Sequence, residues 1–357
     1  CPVEFVRLWR HQRHAGNQAF ALTGAVAVKR LLIWLCVALL LAATAAGAWF
    51  HGFANAALPL PQTPFEFTVR PGTSLKGLNR QLAEAGLLPD GQTLWLLGRV
   101  TDATTIQAGT YRLDKPASPL EILGKLRSGD VVLVTLTFVE GITFTEMRRQ
   151  LEATKDLKAT LRGLPDSEVL KQVGATETHP EGLFYPDTYR FSAGITDLEM
   201  LKKSYQAMQR KLAEAWAQRD PGLPYANPYQ ALIMASIIEK ETGRADERAL
   251  IGSVFINRLK IPMRLQTDPT VIYGMGSRYD GNIRKRDLST DTAYNTYTRD
   301  GLPPTPIAMP GWGSLLAAVK PAQSDKLYFV GRGDGSHYFS RSLDEHNRAV
   351  AKYQLGR

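Results

Sequence analysis

Residues 31–50, LLIWLCVALLLAATAAGAWF, contain no charged side chain. A run of ~20 apolar residues is long enough to cross the hydrocarbon core of a bilayer as a helix. Arg7, Arg10, Arg13, Lys29 and Arg30 precede it against a single Glu4, and no Lys or Arg follows until Arg70. This asymmetry predicts a cytoplasmic segment over 1–30, a span over 31–50 and a body outside the membrane. Ala43-Thr44-Ala45 and Ala46-Gly47-Ala48 resemble signal-peptidase sites. The apolar run nevertheless exceeds the roughly 7–15 residues of a signal core, which favours an uncleaved anchor. A first residue other than Met implies a displaced start, so residues 1–28 are expected to lie outside the natural product.

The anchor limits what the other residues can do. The two cysteines are Cys1, which no apolar run precedes, and Cys36 inside the span. The exported body therefore has neither a disulfide nor thiol chemistry. The whole chain, at 357 residues and 44% apolar content, can hold more than one packed core. The formal charge of +9 suits an anionic partner or surface: nucleic acid, phospholipid headgroups or a cell-wall polymer.

After the span, residues 51–64 hold Pro59, Pro61 and Pro64 and are expected to form a stiff stalk. Phe65, Phe67 and Val69 alternate as in a strand, and Ser74 is placed to cap a helix with an apolar stripe of Leu75, Leu78 and Leu82. A second unit runs from Gly109-Thr110-Tyr111 into a helix after Ser118. Gly72 to Leu82 and Gly141 to Leu151 share their spacing and an Arg-Gln-Leu ending, a weak internal repeat in which Thr143 and Glu146 form a capping box. Residues 65–130 loosely resemble a LysM carbohydrate-binding module. Residues 131–228 are expected to be a connecting α+β region. Residues 229–357 are expected to be an α-rich domain with a late hairpin around Gly331-Arg-Gly-Asp-Gly335. The predicted fold class is α+β.

Within ASIIEKETG (235–243), two glutamates stand two residues apart near the end of a predicted helix over 229–242, with Gly243 placed to stop it. At about 100° per residue, Glu241 aligns with Met234, Ile237 and Ile238, whereas Glu239 points about 200° away. The two cannot act as a carboxylate pair on one face. Apolar neighbours and a helix C-terminus both favour the protonated form of Glu241, as a general acid requires. A glutamate snorkelling from a helix end fits the same residues. The following helix, over 245–260, carries Asp246 and Glu247 early and Arg258 and Lys260 late, and its expected role is support.

ASIIEKETG, NRLKIPMRLQTDPTVIYGMG (257–276), TAYNTYTRDGLPPTPIAMPG (292–311) and LYFVGRGDGSHYFS (327–340) together resemble the MltG/YceG-like endolytic murein transglycosylases, in order over about 65–357. The resemblance implies a lyase of the inner membrane, with its body in the periplasm. It would cleave the β-1,4 bond between N-acetylmuramic acid and N-acetylglucosamine in nascent strands, leaving 1,6-anhydro ends and terminating elongation beside cell-wall synthases. Glu241 inherits the catalytic role. Tyr294-Asn295 matches a Tyr-Asn pair of lytic transglycosylase clefts. Gln266, Thr267, Asp268 and Tyr297 are further candidates for sugar contacts, although a turn at Asp268-Pro269 and a packed tyrosine loop explain them equally well. Phe184, Tyr185 and Tyr189 are expected in the core rather than in a sugar platform. No cofactor or nucleic-acid partner is implied, and the six histidines lack metal-ligand spacing, with His337 and His346 expected as structural or rim residues. Two other classes stay open: a non-catalytic peptidoglycan-binding scaffold, and a muramidase-type hydrolase with Asp268 as second carboxylate.

Overall fold

The computed structural model describes residues 4–89 and 92–356, with side chains from residue 29 onward. Cys1, Arg7, Arg10 and Arg13, on which the cysteine and orientation arguments draw, lie outside those described side chains. The chain divides into two compact units, 1–132 and 133–357, and is mixed α+β.

In the first unit, helix α1 (Glu4–Asn55) contains one stretch, Lys29–Asn55, long and apolar enough to cross a membrane. The helix continues five residues into the segment expected as stalk. Strands β1 (Phe65–Val69) and β2 (Gly109–Leu113) pair antiparallel, from Phe65 opposite Leu113 to Val69 opposite Gly109. Alternation places Phe65, Phe67 and Val69 inside, with Phe67 stacked on Tyr111 at 5.5 Å. Between the strands run α2 (Leu75–Glu84), whose N-terminus is capped by Ser74, and α3 (Thr93–Val100). After β2, α4 (Pro119–Ser128) has a Ser118/Glu121 capping box.

The second unit pairs β3 (Leu133–Thr137) with β4 (Thr188–Ser192), both antiparallel, across an insertion holding α5 (Phe144–Ala153) and α6 (Asp166–Val173). The Thr143/Glu146 capping box forms as the sequence predicts. Then follow α7 (Asp197–Ala217), α8 (Pro228–Glu241), α9 (Arg248–Lys260), α10 (Asp268–Met275), α11 (Lys285–Ser289) and α12 (Trp312–Val319). Strands β5 (Tyr328–Gly331) and β6 (His337–Ser340) pair antiparallel, and α13 (Leu343–Tyr353) closes the unit.

Helix α8 is the axis of this unit. Ala231 through Ile238 are all buried, so the helix is surrounded rather than amphipathic. Each large apolar side chain buried there contributes about 1.5–3 kcal/mol. Residues on both sides of position 228, from Phe138, Phe184 and Met200 to Phe255 and Leu315, share its core. Phe184 stacks on Phe144 at 5.1 Å and the Tyr189 hydroxyl donates to the Tyr185 carbonyl, so this aromatic cluster is core packing. Helices α9 and α12 approach closely at Gly252, where a Cβ would come within 2.7 Å of the Ala317 carbonyl oxygen.

Two helix boundaries differ from the sequence reading. Helix α8 ends at Glu241 with Thr242 extended, and Gly243 does not adopt the left-handed stop. Helix α9 begins at Arg248, not Ala245; Glu247 stands at its N-cap with its side chain bonded to His337 of β6.

Candidate active site

The end of α8 separates its two glutamates as helical geometry requires. Glu239 is consumed by structure: its Oε2 accepts the Gly311 N–H at 2.9 Å, and its Oε1 lies 3.8 Å from Arg248 Nη2. The same guanidinium nitrogen lies 3.6 Å from Glu140. Glu239 thereby ties α8 to the N-cap of α12. Lys240 points elsewhere and donates to the Gly141 carbonyl.

Glu241, the last residue of α8, lines a cavity of 430 Å³. Its Oε1 accepts a hydrogen bond from the Thr267 hydroxyl, and Oε2 has no hydrogen-bond partner among the described residues. Burial pushes its carboxyl up to about 7, reinforced by the Asp268 charge and opposed by the Thr267 hydrogen bond and the His337 and Arg258 charges. Half of such a group is protonated near neutrality, so it can both give and take a proton there.

Thr267 is itself held in place. Its N–H donates to Thr296 Oγ1 at 3.1 Å, and its carbonyl accepts from Thr270 Oγ1 at 2.7 Å. Before it, Gln266 sits at φ 47°, left-handed for a residue with a Cβ, while its N–H donates to the Thr296 carbonyl. Strain of this kind costs of order 1–3 kcal/mol and persists where surrounding bonds enforce it. Asp268 opens α10 rather than ending a loop; its Oδ1 accepts from the Tyr297 hydroxyl at 2.5 Å. Burial and the Asp268 contact keep the Tyr297 phenol well above its ordinary value.

Gln266, Thr267, Asp268 and Tyr297 thus join Glu241 around one cavity. Tyr294 and Asn295 do not line it. Asn295 is buried, with its amide nitrogen donating to the carbonyls of Asp287, Leu288 and Thr290 and its Oδ1 accepting the Tyr297 N–H. Both amide hydrogens are spent on those carbonyls, so none is left to donate to a sugar. Tyr294 packs edge-on against Tyr273 at 4.9 Å and bonds Thr305 through its hydroxyl.

The cavity is also lined by the two histidines expected as structural or rim residues and by three residues that sequence reasoning did not place there. Tyr328, Phe329, His337 and His346 face the cavity together with Arg258. His337 Nδ1 lies 2.7 Å from Glu247 Oε2, and its backbone N–H donates to Glu247 Oε1. His346 stacks on Tyr328 at 5.3 Å. Glu181 was also missed. It is buried away from this cavity, accepts from the Phe144 N–H and the Tyr273 hydroxyl, and burial pushes its carboxyl up to about 7. The Arg258 signal was hidden because a basic residue in a helix's last turn has a sufficient local explanation in the helix dipole. Among the described residues, no cluster of three or more His, Cys, Asp or Glu side chains is arranged to hold a metal.

The arrangement can perform one-carboxyl acid–base chemistry beside an aromatic wall. Comparisons with known proteins identify what the chain is similar to. The chain is 31% identical over 309 residues to an endolytic murein transglycosylase of Bacillus subtilis (strain 168), covering 82% of this chain and 85% of the relative. It is 27% identical over 315 residues to the endolytic murein transglycosylase of Streptococcus pneumoniae serotype 2 (strain D39 / NCTC 7466), covering 79% of this chain but 57% of that one. A crystal structure of a yceG-like protein from Listeria monocytogenes superimposes with a TM-score of 0.50 at 29% identity, covering 80% of this chain and 98% of the other. The YceG-like family model matches residues 67–352, from within β1 to within α13. That match takes in both units and every residue of the cavity apart from Gln354, and the chain belongs to the YceG-like family.

Proposed function

We propose that the protein is an endolytic murein transglycosylase, with Glu241 as its single acid–base residue. The observation that carries this reading is the Glu241 carboxyl, raised to about 7 by burial, at the edge of the 430 Å³ cavity. The names of the relatives supply the substrate, peptidoglycan glycan strands.

The protonated carboxyl gives its proton to the glycosidic oxygen as the bond to the muramoyl C1 breaks. The resulting Glu241 carboxylate takes the proton of the muramoyl C6 hydroxyl, whose oxygen bonds to C1 and closes the 1,6-anhydro ring. Because the nucleophile belongs to the substrate, no second carboxylate is needed to activate water. Thr267 holds Oε1 throughout. Asp268, Gln266 and Tyr297 meet sugar hydroxyls or acetamido groups, and the rings of Tyr328 and Phe329 offer apolar faces.

The Lys29–Asn55 stretch supports a single-pass anchor in the inner membrane with the body outside, close to the synthases that make the nascent strand. The β1-α2-α3-β2 order of the first unit supports a LysM-like glycan-binding role there. A second reading survives because Asp268 lines the same cavity: a hydrolase in which it activates water.

Digestion of purified glycan strands by the full chain and by Glu241→Gln, followed by mass spectrometry of the ends, tests these readings. Anhydro-muramoyl ends that vanish in the variant support the lyase. Reducing ends from the native protein make it a hydrolase. Absence of cleavage by either makes it a binder. Activity lost in Glu239→Gln but kept in Glu241→Gln would overturn the assignment of the acid.

A further inference from the structure

Arg258 is 7% exposed, on the inner side of α9. Its Nε donates to the Leu327 carbonyl at 2.7 Å and its Nη1 to the Leu265 carbonyl at 2.6 Å. Nη2 has no hydrogen-bond partner, and no carboxylate lies within ion-pair distance, among the described residues. The guanidinium also lies 5.3 Å from the Tyr328 ring centroid. A buried cation without a counter-charge is costly, and proteins seldom retain one without a use. Two carbonyls fix its orientation but do not neutralise it. The residue lines the same cavity as Glu241.

We propose that Arg258 is a positioning residue whose uncompensated charge stabilises the carboxylate form of Glu241 between the two proton transfers. This rests on the acid–base role given to Glu241 above. While Glu241 is protonated the cation has no counter-charge; the reaction supplies one when Glu241 gives up its proton to the glycosidic oxygen. The charge is dispersed again when the C6 hydroxyl returns a proton. Substrate filling the cavity excludes water and strengthens the attraction at the step where it is needed.

The other groups acting on Glu241 come from two further elements. Asp268 on α10 disfavours the carboxylate, His337 on β6 favours it, and Thr267 at the N-cap of α10 donates to it. Tyr297 faces both Glu241 and Arg258, and Tyr328 and His346 face Arg258 from β5 and α13. Glu247 holds His337 from behind. Arg258 is the one member of this set that is a permanent cation.

The test titrates the Glu241 side chain by carbon NMR in the full chain, in native protein, Arg258→Met and Arg258→Lys, beside the kinetics of each. The expected result is an upward shift of Glu241 by roughly one pH unit in Arg258→Met, with kcat reduced at least about tenfold and KM nearly unchanged. Arg258→Lys should restore most of both if it folds as the native protein does. A Glu241 titration that stays put in folded Arg258→Met overturns the proposal, even if the melting temperature falls. A rise in KM with kcat unchanged also overturns it, and would make Arg258 a substrate ligand instead. The titration needs no turnover, so it stands apart from the test of anhydro-end formation.

Discussion

The Thr267 hydroxyl donates to Glu241 Oε1 from the N-cap of α10, so two helices far apart in sequence meet at one carboxyl oxygen. Thr267 is a candidate for sugar contact by sequence, and its only hydroxyl proton is committed to the acid. Thr267→Val removes that donor while keeping the side-chain shape. The Glu241 carboxyl then rises further, and kcat should fall by ~10–100-fold. Thr267→Ser should recover most of the loss. Steady-state kinetics on defined glycan strands would check this, and an unimpaired Thr267→Val would show that the bond is incidental.

The Glu241 carboxyl, at about 7, must be protonated to begin the reaction. We expect kcat/KM to be level in mildly acidic solution and to fall about tenfold per pH unit above neutrality. A profile that rises through neutrality would mean that the first step uses the carboxylate.

Stability should carry a separate pH signature from Glu181, raised from 4.5 to about 7 in the folded state. The folded protein holds that proton more tightly than the unfolded chain. Its stabilising contribution is complete below about pH 4.5 and is lost as pH climbs through about 7, on the order of 3 kcal/mol in all. Glu181→Gln keeps an acceptor for the Phe144 N–H and an amide for the Tyr273 hydroxyl. It should flatten the decline in melting temperature over this window. An equally steep decline in the variant would assign the titration elsewhere.

Much of Glu241's position was legible because it depends on local periodicity. The apolar column of Met234, Ile237 and Ile238 and the two-residue offset from Glu239 fix its direction on any regular helix. The capped helices after Ser74, Ser118 and Thr143 were legible for the same reason. Long-range hydrogen bonding was not. Tyr297 and Asn295 look alike as polar residues in a tyrosine-rich loop, yet one faces the cavity and the other is enclosed by the turn around α11. Arg258 explains itself locally as a helix-end cation, and only the approach of β5 and of the Leu265 carbonyl shows that its charge is buried without a partner. The start of α9 lies three residues later than its pattern suggests, and the Glu247 at its N-cap bonds His337, a residue 90 positions away.

Tyr297 connects that loop to the cavity through its 2.5 Å bond to Asp268. Tyr297→Phe should leave Asp268 free to rotate and raise KM by ~3–10-fold with little effect on the products. Asp268→Asn should weaken binding comparably while anhydro ends persist, since no water needs activation. Loss of all cleavage in Asp268→Asn, with reducing ends from the native protein, would transfer the mechanism to a two-carboxylate hydrolase.

Asn295 gives the sharpest contrast between a motif residue that touches substrate and one that builds the wall. Its own side chain is buried and satisfies three carbonyls and one N–H around α11, at 2.7 to 3.2 Å. Asn295→Ala removes all four bonds and leaves a gap at a buried position, which should cost about 2–4 kcal/mol of stability by denaturant unfolding. Because the turn carries Thr296 and Tyr297 to the cavity, activity should fall with it. Conditions that restore the fold, such as lower temperature or a stabilising osmolyte, should restore much of kcat. A residue acting directly on the sugar would show the opposite: full stability, and a loss of turnover that no stabilising condition repairs.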